Sequence, residues 1–251
     1  MVGKSSYEPG TPSWVDLGSP DPDASATFYS SLLGWDVVEG PAEAGGYRMC
    51  LVRDVPVAAI SPQFVAGQAP AWLTYVTVAD ADAAAASVVE HGGAVAIAPF
   101  DVLTAGRMAV FVDPSGATFA VWQAGDHVGA GLVNEAGAFC WNEIFTPTPD
   151  DAMAFYGPLF GWEAAPMPLG DTEIYTVLMS GDRAVGGIVT VDAPPMWQVT
   201  FAVDDCDASV ATALELGATV VMAPEDIPDI GRFAMIDDPH GARFGILASD
   251  W

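Results

Sequence analysis

Residues 14–35, WVDLGSPDPDASATFYSSLLGW, return in altered form as residues 141–162, WNEIFTPTPDDAMAFYGPLFGW. The two stretches share a tryptophan at each end, a Phe-Tyr pair and a Gly-Trp pair, all at one offset. An internal repeat organises a chain, because each copy forms the same structural unit. The sequence is therefore predicted to be a duplication whose two halves have one fold.

A second repeated stretch lies downstream in each half. WLTYVTVADADAAAASVVEHGGAV begins at Trp72, and WQVTFAVDDCDASVATALELGATV begins at Trp197. Each is followed by a Gly-Arg pair, at Arg107 and Arg232, and by an Asp-Pro-x-Gly sequence that predicts a tight turn. The recurrence of both arginines favours a structural salt bridge over a catalytic role. Each half is thus predicted to contain two related units.

Every unit has the pattern of one strand, one helix and further short strands. The alternating side-chain faces at Trp14 and Asp16 indicate a strand. The acidic turn at Asp21 and Pro22 is typical of a helix start, and Gly34 is typical of a helix end. Short segments bounded by Gly and Pro then predict more strands. The sequence therefore predicts an α+β fold with a β-α-β-β-β order that occurs four times.

This order, with its Phe-Tyr and Gly-Trp signals and its Asp-Pro-x-Gly turns, resembles the vicinal-oxygen-chelate superfamily. That superfamily includes glyoxalases, extradiol dioxygenases, fosfomycin-resistance enzymes and bleomycin-resistance proteins. The resemblance covers residues 11–250 and implies two tandem glyoxalase-like half-open barrels, each built from two units. We expect the first domain at residues 11–124, a linker at residues 125–137 and the second domain at residues 138–250.

The resemblance also implies where a metal ion would bind, because metal-dependent members use His, Glu or Gln at three recurring strand positions. Only one of the six corresponding side chains here can ligate a divalent cation. We therefore predict that the chain uses no metal and no other cofactor, although Asp16 and Glu143 remain open as alternative ligands. The six positions are Trp14, Leu73 and Ala120 in the first half and Trp141, Gln198 and Gly245 in the second.

Residues two apart on a strand share a face, so the interior of each barrel can be predicted from the sequence. The first interior is an aromatic trough with one carboxylate, and we expect it to hold the better ligand pocket. The second is more polar, and Glu143 is expected to pair with Arg243. Ordinary core packing of the aromatic rings is the open alternative. The predicted linings are Trp14, Asp16, Leu73, Tyr75, Thr118, Ala120 and Trp122, and Trp141, Glu143, Gln198, Thr200, Arg243 and Gly245.

Composition limits the partners. Thirty-three acidic residues against seven basic ones give a net charge of −26, which repels nucleic acid and anionic membranes and attracts cationic ligands.

The three cysteines are far apart and form no CxxC, which fits a reducing cytoplasm. No signal peptide or membrane span is predicted. Four units in one chain favour a monomer or weak dimer, and His91, His127 and His240 are expected at the surface or in loops.

Three classes of function remain open at this stage. The leading hypothesis is a metal-independent binding protein for an aromatic small molecule, neutral or cationic, that acts in drug sequestration or as an accessory in biosynthesis. The second is a metal-independent isomerase, lyase or cyclase with Asp16 or Glu143 as general base in an apolar pocket. The third is a structural or signalling protein whose barrels no longer bind a ligand.

Overall fold

The computed structural model describes residues 4–63, 67–169 and 173–249. Within these ranges the first half contains two β-α-β-β-β units, as the sequence predicted. Their elements are β1 (Pro12–Ser19), α1 (Pro22–Leu33), β2 (Asp36–Glu39), β3 (Arg48–Val52) and β4 (Val55–Pro62), followed by β5 (Ala71–Thr77), α2 (Ala81–Glu90), β6 (Ala94–Val102), β7 (Gly106–Val112) and β8 (Thr118–Ala124).

The second half repeats the same order of elements. They are β9 (Phe139–Thr146), α3 (Pro149–Phe160), β10 (Glu163–Leu169), β11 (Glu173–Ser180) and β12 (Arg183–Thr190), followed by β13 (Met196–Ala202), α4 (Cys206–Glu215), β14 (Thr219–Ile227), β15 (Gly231–Asp237) and β16 (Arg243–Ala248).

Each half forms one mixed eight-stranded sheet. The strand order is β2-β3-β4-β1-β5-β8-β7-β6 in the first half and β10-β11-β12-β9-β13-β16-β15-β14 in the second. The first strands of the two units, β1 and β5, pair antiparallel at the centre, and β4 and β8 flank them in parallel. The α+β class and the four-unit architecture are therefore confirmed, as two open sheets rather than closed barrels.

Local sequence accounts for the ends of the first helix. The carboxylate of Asp21 accepts a hydrogen bond from the backbone N–H of Ala24 at 3.0 Å, and Pro22 occupies the first turn, where its missing N–H has no cost. Gly34 closes the helix with φ 71°, a left-handed conformation that glycine adopts without strain. These contacts are the ones that the acidic turn and the glycine predicted.

The two halves are joined by equivalent hydrogen bonds through a shared core. Tyr29 on α1 donates its hydroxyl to Asp238 of the second half at 3.1 Å, and Tyr156 on α3 donates to Asp113 of the first half at 2.9 Å. All four of these side chains are buried. Because a buried polar group without a partner is costly, each half stabilises a turn of the other.

Two tryptophan indoles form a second pair of equivalent hydrogen bonds. Trp35 donates its N–H to the carbonyl of Gly137 at 2.6 Å, and Trp162 donates to the carbonyl of Gly10 at 2.7 Å. Both glycines have positive φ, and a Cβ on Gly10 would lie 2.7 Å from a backbone oxygen of Phe160. Glycine is therefore required where the two segments approach each other.

Candidate functional site: a cavity between the halves and two buried carboxylates

Asp16 is a buried carboxylate held by tyrosine hydroxyls. Its side chain is only 1% exposed. One oxygen, Oδ2, accepts hydrogen bonds from Tyr75 at 2.8 Å and Tyr47 at 3.2 Å, and Trp14 donates its indole N–H to the Tyr47 hydroxyl at 2.8 Å. Burial raises the pKa of Asp16 to about 7, and the two hydroxyls offset part of that rise.

The second oxygen of Asp16 is differently placed. Among the described residues Oδ1 takes part in no hydrogen bond, and Asp16 forms no salt bridge. Asp16 is also one of the residues that line a cavity. The residue can therefore offer an acceptor, or its proton, to a bound molecule.

The second half has an equivalent arrangement around Glu143. Tyr175 donates its hydroxyl to Oε1 of Glu143 at 2.6 Å, and Trp141 donates its indole N–H to Tyr175 at 2.6 Å. Burial raises the pKa of Glu143 to about 7, and the tyrosine lowers it in part. Gly187 is required beside this tyrosine, because a Cβ there would lie 1.7 Å from its hydroxyl oxygen.

The predicted pairing of Glu143 with Arg243 is wrong. The guanidinium of Arg243 donates instead to both carboxylate oxygens of Asp237, at 2.8 Å and 3.0 Å. Asp237 lies directly opposite Arg243 on the adjacent strand, whereas β13 separates Arg243 from the strand that carries Glu143. Arg107 and Arg232, by contrast, each form salt bridges with two nearby aspartates, as the sequence predicted.

A cavity of about 840 Å³ lies between the two halves and extends to Asp16. This volume is in the range of small-molecule sites. Much of its wall consists of equivalent residues from the two halves, such as Trp72 with Trp197 and Gly116 with Gly241. On the first-half side the wall continues inward to apolar residues. They include Leu73, Ala96, Ile97, Val110 and Val112.

Four of the predicted site residues meet at this cavity. They are Asp16, Leu73, Thr118 and Arg243. The remaining ones are placed behind its wall or elsewhere in the sheets. Tyr75 is 2% exposed and contributes through its bond to Asp16, while Ala120 is fully buried beside it on β8.

A histidine of the linker occupies the space that the sequence suggested for a ligand ring. His127 lies between two predicted lining residues, with ring centroids 4.5 Å from Trp14 and 5.9 Å from Trp122. Trp122 also donates its indole N–H to the His127 carbonyl at 2.8 Å. His127 lies in a loop, as expected, but it is partly buried there, and burial lowers its pKa.

Apart from Arg243, the polar residues predicted for the second interior lie away from the cavity. Gln198 is fully buried, and its Nε2 donates to the carbonyl of Val199 at 3.3 Å. Its Oε1 and the hydroxyl of Thr200 have no hydrogen-bond partner among the described residues. Trp141 and Glu143 belong to the tyrosine network of this half.

The three strand positions that hold metal in metal-dependent members do not fit a divalent cation here. In the first half they carry Trp14, Leu73 and Ala120, which offer no side-chain ligand. In the second half only Gln198 offers an oxygen, between Trp141 and Gly245. Within the parts of the chain that the structure describes, no three His, Cys, Asp or Glu side chains come together as a metal site.

Tyr47 and Tyr175 are candidate site residues that the sequence reasoning missed. Tyr47 directly precedes β3 and Tyr175 lies on β11, and these strands are two away from the strands that carry Asp16 and Glu143. The available signal was their recurrence at equivalent places in the two halves. The position of the His127 ring beside Trp14 and Trp122 had no such signal in the sequence.

Comparison with known families agrees with this architecture. Residues 11–121 match the Glyoxalase/Bleomycin resistance protein/Dioxygenase superfamily, and residues 139–247 match the Glyoxalase-like domain. The chain belongs to this superfamily. Both of its halves are therefore glyoxalase-like, in tandem.

Two relatives are similar over nearly their whole length. A Mycobacterium tuberculosis protein with the provisional name glyoxylase CFP32 is 44% identical, with 98% of each chain covered. The anthracycline biosynthesis protein DnrV of Streptomyces peucetius is 41% identical, with coverage of 96% of this chain and 94% of that protein.

Solved structures share the fold at low sequence identity. The Mn(II)-bound glyoxalase from Novosphingobium aromaticivorans has a TM-score of 0.65 at 18% identity, with 96% of this chain and 83% of that chain covered. The 2,3-dioxygenase LapB from Pseudomonas sp. KL28 has a TM-score of 0.64 at 16% identity, with 100% of this chain and 94% of that chain covered.

None of the helices within the described residues has the length and apolar character of a membrane-spanning segment.

Proposed function

We propose that this protein binds a flat, largely apolar small molecule in the cavity between its halves, without a metal ion. The observation that carries the proposal is the geometry of Asp16. Its Oδ2 accepts hydrogen bonds from two tyrosine hydroxyls, its Oδ1 has no bond to the described residues, and the residue lines a cavity of about 840 Å³. A hydrogen-bond donor or a cationic group of the ligand would satisfy this oxygen.

The cavity wall and the surface charge support an aromatic ligand that is neutral or cationic. The cavity wall includes aliphatic side chains such as Leu73 and Ile97. Trp72 also borders the cavity, but its ring packs in the core against Tyr29. A largely apolar wall of this kind accepts the body of an apolar small molecule. A net charge of −26 raises the local concentration of cations and lowers that of anions, and it excludes nucleic acid as a partner.

The relatives favour an accessory role in biosynthesis over drug sequestration. DnrV is named for anthracycline biosynthesis, and it is 41% identical to this chain over nearly the full length. By analogy, this chain would hold an aromatic intermediate or product and keep it out of water.

We propose domain limits of 11–124 and 138–250, because β8 ends at Ala124 and β9 begins at Phe139. We also propose that the protein functions as a monomer or weak dimer.

One observation supports an enzymatic alternative. The pKa of Asp16 is raised to about 7, which is suited to a general base near neutral pH. A metal-independent isomerase, lyase or cyclase would use Asp16 to move a proton of the bound molecule, and Glu143 is the equivalent candidate in the second half.

A planar cation and a neutral analogue test the binding proposal. We expect 9-aminoacridine and anthracene to quench the tryptophan fluorescence in a saturable manner. Replacing Asp16→Asn should weaken the binding of 9-aminoacridine by about tenfold or more, since a charged hydrogen bond is lost, and that of anthracene by less than about threefold. The matched control, Glu143→Gln, should leave both affinities unchanged.

Two results would contradict the proposal. One is the absence of saturable binding in the wild-type protein. The other is a loss of binding in Glu143→Gln with no change in Asp16→Asn.

To separate catalysis from binding, a bound aromatic ketone can be followed by NMR in D₂O. Deuterium exchange at carbon that requires Asp16 would establish the enzymatic alternative.

A further inference from the structure

The cavity wall contributed by the second half contains an ion pair. Arg243 donates through Nε to Oδ1 of Asp237 at 2.8 Å and through Nη2 to Oδ2 at 3.0 Å, and both residues line the cavity. The Arg243 side chain is 38% exposed and that of Asp237 is 24% exposed. The pair therefore borders the space that a ligand would occupy.

This pair leaves hydrogen-bond donors unused. A guanidinium carries five N–H groups in a planar fork, and Asp237 accepts two of them. The Nη1 group of Arg243 makes no hydrogen bond with the described residues. An acceptor oxygen on a bound molecule can take these donors, whereas a donor group cannot.

The charge of the cavity decides which acceptor fits. Asp237 neutralises Arg243, so the pair offers donors without a net positive charge. The other ionisable group at the wall is Asp16, which is an acid, and the whole protein carries −26. An anionic ligand would meet repulsion and no excess cation, so a neutral oxygen such as a carbonyl or phenol is favoured.

The first half offers nothing equivalent at its side of the cavity. Val112 and Thr118 are paired across β7 and β8, as Asp237 and Arg243 are paired across β15 and β16. All four line the cavity. The two ends therefore differ, with a carboxyl group inside the first half and guanidinium donors on the second.

We infer that the ligand is bipolar, with a hydrogen-bond donor directed at Asp16 and a neutral acceptor oxygen directed at Arg243. This inference rests on the proposed binding function. It narrows the ligand to largely apolar molecules that carry a hydrogen-bond donor and, apart from it, a neutral acceptor oxygen such as a carbonyl or phenol. Arg243, which belongs to the second half, is then a specificity-determining residue for a ligand whose body lies in the first.

Three probes separate these features: 2-aminoanthraquinone has both a donor and carbonyl oxygens, 2-aminoanthracene lacks the carbonyls, and anthraquinone-2-carboxylate is an anion. Dissociation constants would be measured by fluorescence quenching at neutral pH. We expect the wild-type protein to bind 2-aminoanthraquinone at least about tenfold more tightly than the other two, because only this probe uses both ends.

The decisive variant is the double replacement Asp237→Asn with Arg243→Met, which removes the guanidinium without leaving a carboxylate unpaired. It should weaken the binding of 2-aminoanthraquinone by about tenfold to a hundredfold, as expected for loss of a hydrogen bond to a charged group, and that of 2-aminoanthracene by less than about threefold. The matched control is Arg232→Met, which removes an ion-paired arginine that does not line the cavity. It should change neither affinity.

The possible failures are distinguishable. If 2-aminoanthracene binds the wild-type protein as tightly as 2-aminoanthraquinone and the double variant changes neither, the inference is overturned while the binding function stands. Tightest binding of the carboxylate would overturn the requirement for a neutral oxygen. If none of the three probes binds, the proposed function and the inference fall together.

Discussion

The two halves of this molecule have the same strand order, but their sides of the shared cavity differ, above all at one cross-strand pair. In the first half the cross-strand pair is Val112 with Thr118, and in the second it is Asp237 with Arg243. Asp16 lines this cavity together with Val112 and Thr118, whereas Glu143 is not part of its wall. The two equivalent acids therefore differ in their relation to the cavity.

The most drastic way to break this comparison is to give the first half the side chains of the second. In the double variant Val112→Asp with Thr118→Arg, the new ion pair should fill the passage to Asp16. We expect ligand binding to fall by at least about a hundredfold, because the apolar body of the ligand loses its space. Fluorescence titration with 2-aminoanthracene measures the effect.

The reciprocal variant, Asp237→Val with Arg243→Thr, is the control for this exchange. It should still bind 2-aminoanthracene, since the first half is unchanged. Equal binding by the first variant and the wild-type protein would show that the small pair does not control access to Asp16.

A second experiment sharpens the comparison where the halves are alike. Asp113 accepts three backbone N–H groups of its own turn and the hydroxyl of Tyr156, and Asp238 accepts two backbone N–H groups and that of Tyr29. Asp113→Ala and Asp238→Ala should each lower the free energy of unfolding by about 2–4 kcal/mol, because buried donors lose their acceptor. Urea denaturation followed by circular dichroism measures both.

The replacements Tyr29→Phe and Tyr156→Phe serve as milder controls, with an expected loss of about 1–2 kcal/mol each. A large effect in one half with none in the other would contradict the equivalence of the two contacts between halves.

The acids Asp16 and Glu143 provide a comparison through pH. Both have a pKa of about 7 in the folded protein, above the ordinary value of a carboxyl group. Between about pH 4 and pH 7 the folded state keeps a proton that the unfolded state releases, so stability falls as the pH rises. Each acid should account for a loss of about 2 kcal/mol between pH 5 and pH 7.

Asp16→Asn and Glu143→Gln should each flatten the pH dependence of unfolding over this window, as measured by urea denaturation at several pH values. The double variant should flatten it further. A variant that keeps the full wild-type slope would show that its acid ionises with an ordinary pKa.

The smallest effect is expected at Arg107 and Arg232, which form equivalent salt bridges with exposed aspartates. Water and salt screen such pairs, so Arg107→Ala and Arg232→Ala should leave the unfolding midpoint nearly unchanged in both halves. Neither should affect ligand affinity. A selective loss of binding in Arg107→Ala would indicate a role that the geometry does not suggest.

The sequence could predict the architecture because its signals are local and repeated. Asp21, Pro22 and Gly34 define a helix through contacts within a few residues, and the same pattern returns in the other units. Alternation along β1 correctly placed Trp14 and Asp16 on one face.

The composition of the site depends on contacts between distant segments, which a pattern does not encode. The sequence offers acidic residues on several strands as possible salt-bridge partners of Arg243. Only the strand pairing shows that Asp237 lies opposite it. Similarly, His127 fills the space beside Trp14 because the linker turns into the first half. Strand periodicity cannot reveal which segment covers the open end of a sheet.

The shared core has a consequence for the history of the chain. Gene duplication ordinarily leaves two copies free to drift apart, but here Trp35 packs against Phe201 of the other copy and bonds to the carbonyl of Gly137. A substitution in this core therefore changes the packing of both copies, and we expect the two copies to constrain each other there. At the cavity the two copies already differ, since Thr118 in one copy corresponds to Arg243 in the other.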